Sequence, residues 1–323
     1  MGNSLLVETL RSVIAASSPL VFASIGETLT EKAGVVNLSL DGTILLAAMA
    51  GFAIALMSGS LVVGFLAAML VGALIALLIA YSAIALRQNQ VAVGFVLTLL
   101  CADLSSFIGK PYVRVPGPSV PHGAIPLLAD IPILGPILFD QDVLVYLSYL
   151  VILASWIWIS RTHPGLRLLS VGERPAAAYA RGIDVHRTRY IYSIIGGALV
   201  GFAGACYSLS VKLGWSHRHT AGLGWIALAI VIFGGWSPIR VALGAYLFGA
   251  LKSLGSILQP VYPQIPTQVF QAAPFALMIV ALLLVSGDLA GLTLRLPPRL
   301  RRLLASFLSG TPPAALGQPF EEE

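Results

Sequence analysis

The chain has 323 residues, 57% of them hydrophobic and 10% charged, with a formal net charge of +5. Soluble globular chains carry about 25% charged residues, so this composition excludes a water-soluble domain and indicates a protein that crosses a membrane many times. The charges sit in a few short islands, so the positive excess reads as membrane orientation and not as nucleic-acid binding.

The opening MGNSLLVETLRS has no basic leader or cleavage site, so the first apolar segment is expected to stay. Leu6 occupies the position where a myristoylation signal needs Ser or Thr. A helical span takes about 20 apolar residues, which places candidate spans at 10–26, 40–58, 61–86, 91–108, 143–160, 190–211 and 267–286. Between the last two lies a pair of apolar stretches, 224–234 and 239–258, split by GGWSP at 234–238. The first of the pair is too short to span. It reads either as a broken or re-entrant element beside a pathway or as a helical hairpin with an interfacial turn. The expected fold is all-α and polytopic, with about 8–10 membrane segments counting this pair. Residues 1–294 form the membrane domain, and 295–323 form a tail that is first basic, then acidic.

Arg161, Arg167, Arg174, Arg181, Arg187 and Arg189 crowd the loop 161–190, and Arg295, Arg299, Arg301 and Arg302 the tail. The loop 109–142 has Lys110 and Arg114 against Asp130, Asp140 and Asp142. The positive-inside bias puts the arginine loop and the C-terminus in the cytoplasm and 109–142 outside. Small residues recur every fourth position at Gly64, Ala68, Gly72, Ala76 and Ala80, at Ala47, Gly51 and Ala55, and at Gly197 and Gly201. Such stripes let helix backbones approach closely in lipid. The segment 33–86 is answered by 220–258 as a possible inverted repeat, since both open on a Gly-rich polar stretch and continue into small-residue helices.

No G-x-x-x-x-G-K-[ST] phosphate loop and no hydrolase or metalloprotease motif occurs in the sequence. Cys101 and Cys206 lie in apolar stretches and offer neither a disulfide framework nor metal-ligand spacing. His217-Arg218-His219 reads as a solvated loop. Glu27, Asp41, Asp103 and Asp288 lie in or at the ends of apolar segments, Asp103 being the most interior, and such groups face a cavity or a partner. An ion-coupled carrier or channel for a small polar solute would use Asp103. The island 166–182, LRLLSVGERPAAAYARG, is basic and helix-forming. Pro175 suits a first helical position, Ala176, Ala177, Ala178 and Tyr179 continue the helix, and Gly182 is placed to end it in the left-handed conformation. This predicts a short rigid helix of about two turns that either docks a partner or lies on anionic lipid.

The series ETLTEKAGVVNLSLDG at 27–42, RQNQVAVG at 87–94, IPILGP at 131–136, THPGLR at 162–167, VGERPA at 171–176, GIDV at 182–185 and GWIALAIVIFG at 224–234 resembles, in that order, the permease subunits of nucleoside-type ABC importers in the sugar and branched-chain amino acid permease superfamily. The resemblance covers roughly 20–290. It implies a permease of a bacterial-type cytoplasmic (inner) membrane for a nucleoside or a simple sugar. It implies a coupling helix within 166–185, built from Gly172, Glu173, Arg174, Pro175, Ala178, Arg181 and Gly182, that docks on a separate ABC ATPase. That ATPase would hold the ATP and magnesium, and this chain no cofactor or metal. Other implied partners are a second permease, related or identical, and an extracytoplasmic substrate-binding lipoprotein. Thr98 and Phe275 depart from the family's common Asn and Tyr. A nucleoside offers a stacking face and hydroxyls, so polar and aromatic groups in apolar walls are the pathway candidates: Asn37, Ser39, Asp41, Asn89, Gln90 and Trp225. Asn37, Ser39, Asn89 and Gln90 read equally as groups that satisfy backbone at helix starts, and Trp225 as an interfacial anchor.

Overall fold

The computed structural model describes residues 2–220, 222–266 and 310–321, with isolated positions between 268 and 279. The candidate span at 267–286, Asp288 and the four tail arginines fall wholly or mostly outside the described residues.

Among the described residues ten α-helices follow in order: α1 (Gly2–Lys32), α2 (Leu40–Ser58), α3 (Leu61–Ile84), α4 (Gln90–Gly109), α5 (Val143–Arg161), α6 (His163–Glu173), α7 (Pro175–Ala180), α8 (Val185–Cys206), α9 (Leu223–Phe233) and α10 (Pro238–Val261). Among the described residues, seven of them, namely α1 to α5, α8 and α10, are long and apolar enough to cross a membrane. The chain is an all-α multi-pass membrane protein. Two three-residue strands, β1 (His122–Ala124) and β2 (Asp140–Asp142), pair antiparallel inside the 109–142 loop.

The first helix runs well past the expected 10–26 at both ends. Its polar residues do not break it because their hydroxyls bond back into their own helix: Ser17 to the Val13 carbonyl at 2.6 Å, Thr28 to Ser24 at 2.7 Å and Thr30 to Gly26 at 3.2 Å. Pro19 lies inside α1 and cannot donate to the Ala15 carbonyl. The Ser18 hydroxyl donates there instead, at 3.0 Å, which is how helix-breaking residues are tolerated in lipid.

α8 is the central column, with α1, α2 and α3 packed around it. The small-residue stripes are the contact surfaces. A Cβ added to Gly72 would lie 2.1 Å from the Gly197 carbonyl oxygen and 2.7 Å from the Gly201 nitrogen. One added to Gly26 would lie 2.5 Å from the Gly196 carbonyl oxygen, and one on Gly64 2.6 Å from the Ala55 Cβ. The outer faces carry exposed Leu66, Leu70 and Leu74 on α3 and Leu150 and Leu153 on α5, as helices bathed in lipid should.

The two ends of the bundle differ. The C-terminal end of α1, the α3–α4 turn, α6, α7 and residues 310–321 share the basic end, where Gly172, Gly34 and Arg189 all contact the tail. At the opposite end the 109–142 loop is tied to α1 by Arg11 and His122, which both bind Asp140, at 3.1 Å and 2.6 Å. Gly72→Val should force α3 off α8 and cost about 1–3 kcal/mol of overpacking or more. A clear fall in the melting temperature of the detergent-purified protein is the expected outcome.

Candidate functional site

α9 has only 11 residues and begins in the interior. Asp41 in the first turn of α2 meets it: Asp41 Oδ1 accepts the Gly222 N–H at 2.8 Å and the Gly224 N–H at 3.0 Å. These are donors that a helix start leaves unsatisfied, and a carboxylate there also suits the helix dipole. The approach needs glycine, since a Cβ on Gly224 would fall 2.2 Å from the Asp41 nitrogen. Gly222 has φ +88° and lies against the Phe275 ring. On the other side, a Cβ on Gly42 would fall 2.3 Å from the Thr98 carbonyl oxygen. Thr98 lies near the middle of α4, so the joint sits at mid-depth in the bundle. Irregular backbone at membrane depth is tolerated only where protein or a water-filled cavity covers it, and discontinuous helices at the midplane are where transporters place their sites. The short first stretch, expected as half of a broken pair, is therefore a buried half-helix, while α10 is of full spanning length. In the segments 33–86 and 220–258, α2 with 19 residues and α9 with 11 set their first turns together, and each is followed by a helix of 24 residues, α3 and α10.

The other pathway candidates are held as follows. Asn37 Oδ1 accepts the Ser39 N–H at 3.0 Å and the Ser39 hydroxyl at 2.7 Å, and the Ser39 and Thr43 hydroxyls are 3.0 Å apart. Gln90 Oε1 accepts the Val36 N–H at 2.7 Å, and Thr98 donates to the Leu38 carbonyl at 2.7 Å. Asn37, Ser39 and Gln90 are buried and shape the turn that lifts the chain from α1 to the joint. Asn89 is exposed and caps α4 through the Ala92 N–H at 3.1 Å. Asn89 and Gln90 thus open α4 at the basic end and not at the depth of Asp41. Trp225 is half-buried in the first turn of α9.

Two expectations are corrected. Asp103 is not interior: its side chain is 77% exposed on the outer face of α4, 3.6 Å from Arg218. A carboxylate in a spanning helix costs about 2.5–3.5 kcal/mol against lipid on insertion scales, so this face is turned to water or protein. The 217–219 loop is solvated at His217 and Arg218, which are exposed, but only in part at His219. His219 is half-buried with its ring 5.5 Å from Tyr207 and 6.1 Å from Trp215. Lys252 joins them, its Nζ 3.3 Å from the Tyr207 hydroxyl and 5.0 Å above the ring. Arg114, Lys212, Trp215, Ser216 and His219 line a cleft beside this cluster. Tyr207 opens a π-helical turn (Tyr207–Val211) that continues α8, a feature frequent at functional sites. Burial pushes the His219 imidazole down to about 4, aided by Lys212 and opposed by its bond to the Ser216 carbonyl. The cluster was not foreseen, because its members come from α8, the 212–222 loop and α10.

Near the basic end of α1, Glu27 and Glu31 are both buried. Glu31 accepts the Trp236 indole N–H at 2.5 Å, which ties α1 to the 234–237 break.

At the basic end, Thr162 caps α6 by accepting the Gly165 N–H at 3.2 Å. Leu168, Val171 and Gly172 are buried while Glu173 and Arg174 are exposed. α6 was not foreseen as a separate helix, because its buried face is short and flanked by arginines. Pro175 opens α7, which buries Ala178 beside Val171 and Val185 and exposes Arg181. Gly182, with φ +78°, stops it, donating its N–H to the Tyr179 carbonyl at 2.8 Å. At six residues α7 is a little shorter than the expected two turns. A Cβ on Gly172 would fall 2.1 Å from the Lys32 carbonyl oxygen, so α6 bears directly on the end of α1.

The family model for the permease component of branched-chain amino acid transport systems matches residues 9–282. The chain is 36% identical to a candidate glucose ABC transporter permease protein of Haloferax volcanii, over 76% of each chain. It is 34% identical to the nucleoside ABC transporter permease protein NupC of Lactococcus lactis, over 87% of this chain and 94% of that one. It is 35% identical to the guanosine ABC transporter permease protein NupQ of Bacillus subtilis, over 86% and 92%. No solved structure matches the chain.

Asp41→Ala should remove two charge-assisted bonds and leave the start of α9 bare, at about 1.5–3 kcal/mol for each bond to a charged group. Asp41→Asn keeps an acceptor and should lose less; melting temperatures of the two variants test the order. The lowered His219 value means the folded protein holds a neutral ring. The stability this contributes is complete above the ordinary value of about 6.5 and is lost as pH falls toward 4. His219→Phe should flatten the fall in melting temperature across that window.

Proposed function

The chain belongs to the family of permease components of branched-chain amino acid transport systems and is a membrane permease subunit of an ABC importer; on that footing we propose that its cargo is a nucleoside or a simple sugar, and that α7 is the helix through which a separate ATPase drives it. Support for the cargo comes from the nucleoside, guanosine and glucose permeases it resembles. The aromatic cluster of Tyr207, Trp215 and His219 also offers the stacking faces that a nucleobase or a sugar ring would use.

The observation that carries the motor contact is the construction of α7. One face is anchored by Ala178 against Val171 and Val185, the other leaves Ala176, Ala177 and Tyr179 exposed, and the exposed Glu173 and Arg174 before it and Arg181 after it flank it with charge. A short helix fixed on its inner side and flanked by exposed charges at both ends transmits force from a docked protein. On this reading the basic end lies in the cytoplasm, as the arginine distribution favours. The ATP and magnesium are the motor's. A second permease, related or identical, covers the outward face of α4 at Asp103, where lipid would be costly. An extracytoplasmic binding lipoprotein delivers solute to the opposite end. Nucleotide-driven closure of the motor moves α7 and α6. α6 presses on the end of α1, and the packed column of α8 carries the displacement toward the Asp41 joint, where α2 and α9 part to open or close the path. Asn37, Ser39, Gln90 and Asn89 act by shaping that path, and Asp41 and Trp225 by lining it.

Glu173→Ala with Arg174→Ala should leave membrane insertion intact and abolish solute uptake by the reconstituted complex while its ATPase continues to turn over. Uptake at the wild-type rate would refute docking at α7.

A further inference from the structure

Residues 310–321 return to the basic end and bind several elements in succession. A Cβ on Gly235, in the break between α9 and α10, would fall 2.5 Å from the Gly310 Cα. The Ala315 N–H donates to the Gly172 carbonyl at 2.9 Å, and the Gly317 N–H to the Gly34 carbonyl at 3.0 Å. Arg189 at the start of α8 is buried and donates to the Gln318 carbonyl at 3.0 Å. The Phe320 ring lies 5.7 Å from Tyr179 on α7 and 5.6 Å from His186 on α8, and it packs on the same Val171, Ala178 and Val185 that anchor α7. Glu321 pairs with Arg87 in the α3–α4 turn at 2.6 Å.

Among the helices, α7 packs mainly on its neighbours α6 and α8. The segment joins it to the end of α1, the α3–α4 turn and the 234–237 break. Its exposed residues include Gln318, Pro319 and Glu321, which flank in sequence the Phe320 that lies against the exposed Tyr179. We propose that this C-terminal segment is a second element of the motor contact: a strap that enlarges the docking face for the ATPase and distributes a push on α7 to α1, the α3–α4 turn and the break after α9. The proposal rests on the docking role of α7. Phe320 is its positioning residue, because its ring packs on Tyr179 and Ala178 of α7 and on His186 of α8. The Glu321–Arg87 pair is solvent-exposed on both sides and adds direction more than strength.

The test uses the complete transporter in proteoliposomes and reads solute imported per ATP hydrolysed, together with the amount of ATPase that co-purifies. Phe320→Ala is expected to lower the import-to-hydrolysis ratio several-fold in correctly assembled complexes, and Phe320→Tyr, which keeps the ring, to restore it. A chain ending at residue 309 should show the same loss in larger measure and retain less ATPase. A wild-type ratio in Phe320→Ala overturns the proposal, as does a variant that only lowers the yield of folded protein while each surviving complex couples normally. If the Glu173→Ala, Arg174→Ala variant uncouples and the Phe320→Ala variant does not, the strap fails and docking at α7 stands. If neither uncouples, the docking reading fails and takes the strap with it.

Discussion

Inside a bilayer a backbone N–H has no water to turn to, and the architecture here depends on how one such debt is met. α9 starts at mid-depth with free donors, and Asp41 accepts two of them. That contact allows a helix of half length to exist in the interior and fixes α2 against it. It also obliges Gly222 and Gly224 to be glycine, through positive φ and close approach, while the approach of α4 at Thr98 does the same for Gly42. The other backbone contacts of the core, α8 against α1 and α3, are of the same kind. Without side chains between them, the helices hold one another through packing too close to slide freely.

The spanning helices were legible because hydropathy is a local property: stretches of 19 to 24 predominantly apolar residues declare themselves in α2, α3, α4 and α5. The small-residue stripes were legible for the same reason, and they proved to be the helix contacts. α9 was visible as a stretch too short to span, and Gly182 as a stop. The rest was hidden by distance along the chain. The partners of Asp41 lie 181 and 183 residues away, so the sequence could mark Asp41 as interesting but not as the cap of another helix. Asp103 looked interior because its neighbours are apolar, yet periodicity alone does not say which face of α4 meets the bundle. α6 escaped because its apolar residues, Leu166, Leu168, Leu169 and Val171, are too few to set up a helical period that stands out among the arginines.

The aromatic cluster shows a further limit. Tyr207 follows the glycines of α8, Trp215 and His219 sit in an irregular loop, and Lys252 lies within α10. Each reads as ordinary on its own. Only the folding of the 212–222 loop down beside α8 and α10 turns four separate residues into one wall, and that burial keeps the His219 ring neutral.

α8 belongs to both ends. Val185 sits under α7, and the helix runs unbroken for 22 residues to Cys206, about 33 Å at 1.5 Å per residue. A shaft of that length, wedged between glycine-lined neighbours, moves as one piece. On the proposed coupling, a shift that enters at the arginine-rich end would emerge beneath Tyr207, and the wider π-helical coil that follows is the first place along the shaft where it could be taken up as rotation. The chain thus needs no relay of flexible loops to make its far opening responsive to events on the other side of the membrane.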